Sequence, residues 1–241
     1  MLTSPSVGAG LVIAVDGTSG SGKSSTCRGV ATRLGLAYLD TGAMFRAMTW
    51  WMLSHDVDVH DPAAVAARAG EAVVVSGTDP AGPIITVDGE NVSTQIRTAD
   101  VTAAVSLVST VPEVRSVLLD LQRAIITAAL GGPGIVVEGR DIGSVVWPQA
   151  PVKVYLSADP AARAARRAAE DGAGDLPATL AATEESLRAR DRIDSGRTTA
   201  PLTRADGSVA LDSTSYTLDE VVQQVLDLVD AATYADTDGR R

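Results

Sequence analysis

Short apolar runs alternate with stretches of helical spacing along most of the chain. Residues 11–15 (LVIAV) are continuously apolar and end at Asp16 and a Gly-rich turn, which reads as a buried strand. Residues 23–34 carry helical spacing, and 36–39 read as a second short strand. Asp40 or Thr41 is placed to cap a helix running from about residue 42 to 54. Strand, turn, helix, strand, helix predicts an α/β fold with a parallel sheet.

Residues 61–97 break this pattern. AVVVSG at 72–77, a DPAGP turn and IITVDGE at 84–90 read as a β-hairpin, a small insert in an α/β chain. Two helices follow at about 98–109 and 112–129, with Pro112 suited to a first turn. GIVVEG at 134–139 and VKVYLSA at 152–158 are further buried strands. Asp159-Pro160 opens an Ala/Arg helix to about 171, and a charged helix covers about 178–195. SVALDST at 208–214 reads as the last strand and 217–232 as the last helix. Residues 1–10 and 233–241 read as flexible tails, leaving 11–60 and 98–232 as one core.

Composition narrows the partners. The 241 residues are 45% hydrophobic and carry 20 basic against 30 acidic side chains, a net charge of −10. An acidic chain with 3% aromatics offers neither a basic face for phosphate backbones nor a stacking platform, so no nucleic acid is expected. A single cysteine, Cys27, excludes an intramolecular disulfide and reads as a small buried hydrophobe. Trp50 and Trp51 read as core, and His55 and His60 as surface. No apolar run approaches about 18 residues and no export signal is visible, so no membrane span is expected and the protein is placed in the cytoplasm, as a monomer.

The strongest motif is GTSGSGKS, formed by Gly17, Thr18, Ser19, Gly20, Ser21, Gly22, Lys23 and Ser24, with Ser25 next. It fits GxxxxGK(S/T), follows a strand and opens a helix, as a phosphate-binding P-loop requires. Backbone amides would cradle ATP phosphates, Lys23 would reach the β- and γ-phosphates, and the Ser24 hydroxyl would face Mg2+. Lys23 is one of only two lysines, the other being Lys153 within PVKVYL. An NKxD base reader is therefore impossible, which excludes a GTPase and leaves a small-molecule kinase.

Three more elements point to the acceptor. In LDTGAMFR, Thr41 stands at a helix start and Arg46 one turn in, where a phosphomonoester could sit. In EGRDIG, Glu138, Arg140 and Asp141 follow a buried strand, where open α/β sheets bind ligands. In RDRIDSGRTTAPL, Arg190, Asp194 and Arg197 share one helical face.

Together with the P-loop, these elements resemble bacterial cytidylate kinases, a nucleoside monophosphate kinase family. The resemblance runs from about residue 11 to 230. It implies core strand order 2-3-1-4-5, a nucleotide-binding insert at 61–97 and a helical lid at about 178–200. It implies transfer of the ATP γ-phosphoryl to CMP or dCMP, giving the diphosphate, with Mg2+ as cofactor and UMP as a weaker acceptor. It implies that Ser106, Arg115 and Asp141 read cytosine, that Arg190 and Asp194 hold the sugar side, and that Arg140 and Arg197 serve the transferring phosphoryl. The family usually has Asp where this chain has Glu138. Other small-molecule kinases, of shikimate or dephospho-coenzyme A type, would not be expected to combine the GRD turn with RDxxDSxR and a hairpin insert; a non-catalytic nucleotide sensor would not be expected to keep Lys23, Ser24 and Arg197.

Overall fold

The computed structural model describes residues 10–170 and 177–238. β1 (Leu11–Gly17) is buried over its whole length, as a central strand covered on both faces must be. α1 (Lys23–Leu34) follows the P-loop, and β2 (Ala37–Asp40) leads directly into α2 (Thr41–Ser54). Of the two candidate caps, Asp40 is the one used: its side chain accepts from the Ala43 amide at 2.9 Å.

The insert carries one helix more than its sequence pattern suggests. α3 (Pro62–Arg68) starts where the Asp61 side chain accepts from the Ala63 amide, with Pro62 in the first turn. The expected hairpin is a three-stranded antiparallel sheet: β3 (Val74–Ser76), β4 (Ile85–Val87) and β5 (Glu90–Asn91). A 3-10 turn, Gln95–Arg97, closes it. Val74, Ile85, Val87 and Ile96 share an apolar cluster with Met48 and Trp51 of α2, so the insert has no core of its own.

α4 (Ala99–Val108), α5 (Pro112–Ala129) and β6 (Gly134–Glu138) come next, followed by a π-helical turn at Ile142–Val146. β7 (Val152–Ser157), α6 (Pro160–Glu170), α7 (Pro177–Gly196), β8 (Val209–Asp212) and α8 (Leu218–Asp238) complete the chain. α8 is longer than expected. Residues 233–238, expected as tail, are helical: Ala231 and Ala232 keep helix propensity high where the helix continues, and the Thr233 hydroxyl donates to the Val229 carbonyl at 2.8 Å. Residues 1–9 and 239–241 of the expected tails, and the end of the expected Ala/Arg helix at 171, lie outside the described residues.

The main sheet runs β2-β6-β1-β7-β8, with every pair parallel. Counting core strands alone, this is 2-3-1-4-5. Side chains of β1 alternate between two cores. Val12 and Ala14 pack with Met44, Leu118 and Ile126 beneath α2 and α5. Ile13 and Val15 pack with Cys27, Val30 and Val225 beneath α1 and α8. The chain leaves β1 with β6 on one side and β7 on the other, so β1 marks the switch point where such sheets open a ligand crevice. Pairing of Val15 and of Asp40 with Glu138 aligns the carboxyl ends of β1, β2 and β6 at that crevice.

Candidate active site

Two backbone constraints build the P-loop. A Cβ on Gly17 would lie 1.9 Å from the Leu156 carbonyl oxygen, so only glycine lets β1 end against β7. Gly22, the N-cap of α1, holds φ +86°, which L side chains rarely adopt. α1 thereby begins with unpaired amides and the positive end of its dipole at the crevice. Lys23 is buried; its Nζ donates to the Thr18 carbonyl at 2.7 Å and the Ser21 hydroxyl at 3.5 Å. Burial pushes its amine below the ordinary lysine value, and Arg140 nearby adds to that.

Three carboxylates line up at the strand ends. Asp16 accepts from the amides of Ile142 (2.7 Å) and Gly143 (2.8 Å), fixing the turn that follows GRD to β1. Burial nevertheless raises its carboxyl to about 6. Glu138 receives the Tyr38 hydroxyl on one oxygen and the Ser24 hydroxyl on the other, the latter at 3.1 Å. Burial pushes Glu138 upward, and Asp40 beside it works in the same direction. The Thr41 hydroxyl donates to the Glu138 carbonyl at 2.7 Å.

Two lobes of one cleft open around these groups. The larger is bounded by Ser19 to Ser25 with Arg97, Arg167 and Leu187. The smaller is bounded by Thr41, Phe45, Ser106, Asp141, Asp194 and Arg197, among others. Both are bounded by Lys23, Arg46, Arg140 and Arg190, with Asp40 and Glu138. The common wall therefore holds four cations against two carboxylates. Arg46 donates to the Ile96 carbonyl (3.0 Å) and Thr102 hydroxyl (2.9 Å). Burial, then the neighbouring Arg190 and Arg167, push its guanidinium down to about 9. Arg190 is pushed down to about 10 by burial and by Arg140. The Nε atoms of Arg190 and Arg197 are buried with no hydrogen-bond partner among the described residues. Crowded guanidinium groups with unused buried donors are an unsatisfied demand for anionic oxygens.

α7 is latched onto the P-loop. Asp191 accepts from the Ser19 amide (3.0 Å) and from Arg163 of α6 (2.5 Å). Arg140 donates to Asp194 (3.1 Å) and to the Ser19 hydroxyl (2.8 Å). Asp194 also faces Arg197 at 3.6 Å. At the far end of the smaller lobe, Asp141 is ion-paired with Arg115, whose guanidinium also donates to the Ser109 carbonyl at 3.2 Å and lies over the Phe45 ring.

Most of the expected site residues meet here. Ser19 through Ser25 line the larger lobe, while Gly17 and Thr18 lie at the base of the loop, off its wall. Thr41, Arg46, Ser106, Arg140, Asp141, Arg190, Asp194 and Arg197 line the smaller lobe. Arg115 does not; it stands behind Asp141 and reaches the cleft through it.

The profile of the family described as cytidylate kinase matches residues 13–231. The chain belongs to the cytidylate kinase family. It is 55% identical over 220 residues to the cytidylate kinase of Streptomyces griseus subsp. griseus, covering 91% of this chain and 93% of that protein. Identity to the cytidylate kinase of Streptomyces avermitilis is 51%, with the same coverage. To that of Nocardia farcinica it is 48% over 218 residues, covering 89% of this chain and 91% of that protein. The activity of this family is phosphoryl transfer to CMP or dCMP.

Beside these cytidylate kinase elements stand residues that the motifs did not single out. Asp191 lies inside the RDRID run, next to Arg190, and its charge could have drawn notice. Asp16 stands at the strand end just before the P-loop. Nothing local marks Tyr38 or Arg163.

Proposed function

We propose that the larger lobe takes ATP and the smaller lobe CMP or dCMP, and that the γ-phosphoryl crosses the wall they share. The observation that carries this reading is that wall: Lys23, Arg46, Arg140 and Arg190 face both lobes. The attacking group is an oxygen of the acceptor phosphate, already nucleophilic at neutral pH, so the transfer needs alignment and charge neutralisation more than a base. Lys23 and Arg140 meet the donor side, and Arg46 with the Thr41 helix end meets the acceptor phosphate. Arg190 and Asp194 face the sugar. Asp141, held by Arg115, accepts from the cytosine amine with Ser106 beside it. Arg197 borders the smaller lobe alone, and movement of the lid end at about 178–200 would carry it to the transferring phosphoryl.

Mg2+ fits the oxygen donors present. The Ser24 hydroxyl and Glu138 carboxylate are hard ligands 3.1 Å apart, and the described residues hold no cluster of three or more potential metal-ligating side chains. Magnesium is commonly held by one or two protein oxygens plus substrate phosphates and water. Once bound it would neutralise charge on the donor phosphates. A net charge of −10 argues that the acceptor is a free nucleotide and not a polynucleotide end.

A panel of CMP, dCMP, UMP, AMP and shikimate with ATP and Mg2+, read by coupled ADP release, tests this reading. Turnover is expected with CMP and dCMP, weakly with UMP, and not with AMP or shikimate. Binding of ATP without ADP release on any acceptor would leave a nucleotide sensor instead.

A further inference from the structure

We infer that Tyr38 is a positioning residue for the phosphoryl transfer, holding the Glu138 carboxylate so that its second oxygen faces Ser24. The inference rests on the reading of Ser24 and Glu138 as the protein's contribution to the magnesium site.

Tyr38 lies in the middle of β2, fully buried against Cys27, Val30 and Val136, and lines neither lobe. Its backbone amide is used by the Thr78 carbonyl at 2.9 Å, so the strand itself is fixed. Its hydroxyl donates to one oxygen of Glu138, on the neighbouring strand β6. The other oxygen takes the Ser24 hydroxyl at 3.1 Å. No arginine or lysine bonds to this carboxylate among the described residues. Two hydroxyls, one from the neighbouring strand β2 and one from the P-loop helix, are its only hydrogen-bond donors among those residues. A glutamate has three side-chain torsions, and a buried one with a single donor could turn away from the cleft. With Tyr38 gripping one oxygen, the plane of the carboxylate is set, and the free lone pairs of the other point toward the P-loop serine. Residues that orient a metal-binding carboxylate typically change metal affinity about 10–100-fold when removed.

Tyr38→Phe deletes only the hydroxyl. The readout is the affinity of a fluorescent N-methylanthraniloyl ADP with and without Mg2+. In Tyr38→Phe the tightening produced by Mg2+ should fall about 10-fold, with metal-free affinity unchanged. The kcat should fall while KM for CMP holds. Glu138→Gln should lose the same tightening, and adding Tyr38→Phe to it should change nothing more. Wild-type Mg2+ dependence in Tyr38→Phe beside a loss in Glu138→Gln overturns the inference alone. Wild-type dependence in both overturns the reading of Glu138 beneath it. Equal losses with and without Mg2+ make Tyr38 a packing residue and also overturn it. If Tyr38→Phe does not fold, Tyr38→Leu, which also removes the hydroxyl and leaves Glu138 intact, takes its place with the same readout; wild-type Mg2+ dependence there overturns the inference.

Discussion

Lys23 donates to the carbonyl of Thr18, five residues earlier in its own loop, at 2.7 Å. The P-loop lysine is thus turned inward and buried, its charge disfavoured by desolvation and by Arg140. A phosphate in the loop would offer it a charged acceptor in place of a neutral one. Lys23→Met should lower kcat at least about 100-fold, the loss expected on removing one preorganised charge stabiliser. Far-UV circular dichroism should stay that of wild type. Near-normal turnover in a folded variant would refute the P-loop assignment.

Asp141 and Arg115 form a buried ion pair at the far end of the smaller lobe. Cytosine offers an amine where uracil has an acceptor, so on the proposed reading the charged carboxylate would favour CMP. Asp141→Asn keeps an acceptor and removes the charge, and should narrow the ratio of kcat/KM for CMP over UMP. It should also lower stability by up to about 3 kcal/mol, since Arg115 is left buried without a counter-charge. An unchanged ratio would place base recognition elsewhere.

Arg46 and Arg197 should fail differently. Arg46 is held between Ile96 and Thr102 in the common wall and would meet the acceptor phosphate already in the ground state. Arg46→Ala should raise KM for CMP. Arg197 has a buried Nε with no hydrogen-bond partner among the described residues, just past the end of α7, and would act when charge spreads over the transferring phosphoryl. Arg197→Ala should cut kcat roughly 100-fold with little change in KM. Steady-state kinetics at saturating ATP separates the two. A loss confined to KM in Arg197→Ala would make it an acceptor clamp, and a kcat loss in Arg190→Ala instead would leave the transfer to the common wall.

Asp16 gives a pH signature. Its folded carboxyl titrates near 6 against an ordinary 3.8, chiefly because it is buried. A raised carboxyl binds its proton more tightly folded than unfolded, so its contribution is greatest at low pH and is lost as pH rises through about 6. The stability advantage of wild type over Asp16→Ala should shrink by about 1 kcal/mol between about pH 5 and pH 7.5, measured by urea unfolding. An equal gap at both values would rule out the raised carboxyl.

The sequence disclosed what is contiguous. GTSGSGKS carries its own strand, turn and helix, so loop and lysine were legible without a fold. α3 escaped because seven Ala-rich residues show no apolar period, and β5 because Glu90 and Asn91 are polar and only two. Asp16 bonds a residue 126 positions away, Tyr38 one 100 away and Asp191 one 172 away. Such roles exist only once the sheet order brings the partners together, and that order came from family resemblance, not from periodicity. Arg115 was assigned to the base by the same route, and the fold seats it one residue further back, behind Asp141.

The wall common to both lobes also bears on direction. Moving a phosphoryl from ATP to CMP exchanges one phosphoanhydride for another. Lys23, Arg140 and Arg190 border both lobes, so with the two nucleotides seated as proposed they would face the same total charge before and after the move. A fixed frame of that kind steadies the crossing without preferring either bank. ATP would then be regenerated from ADP and CDP through the same arrangement, and the concentrations of the four nucleotides would decide which way the traffic runs.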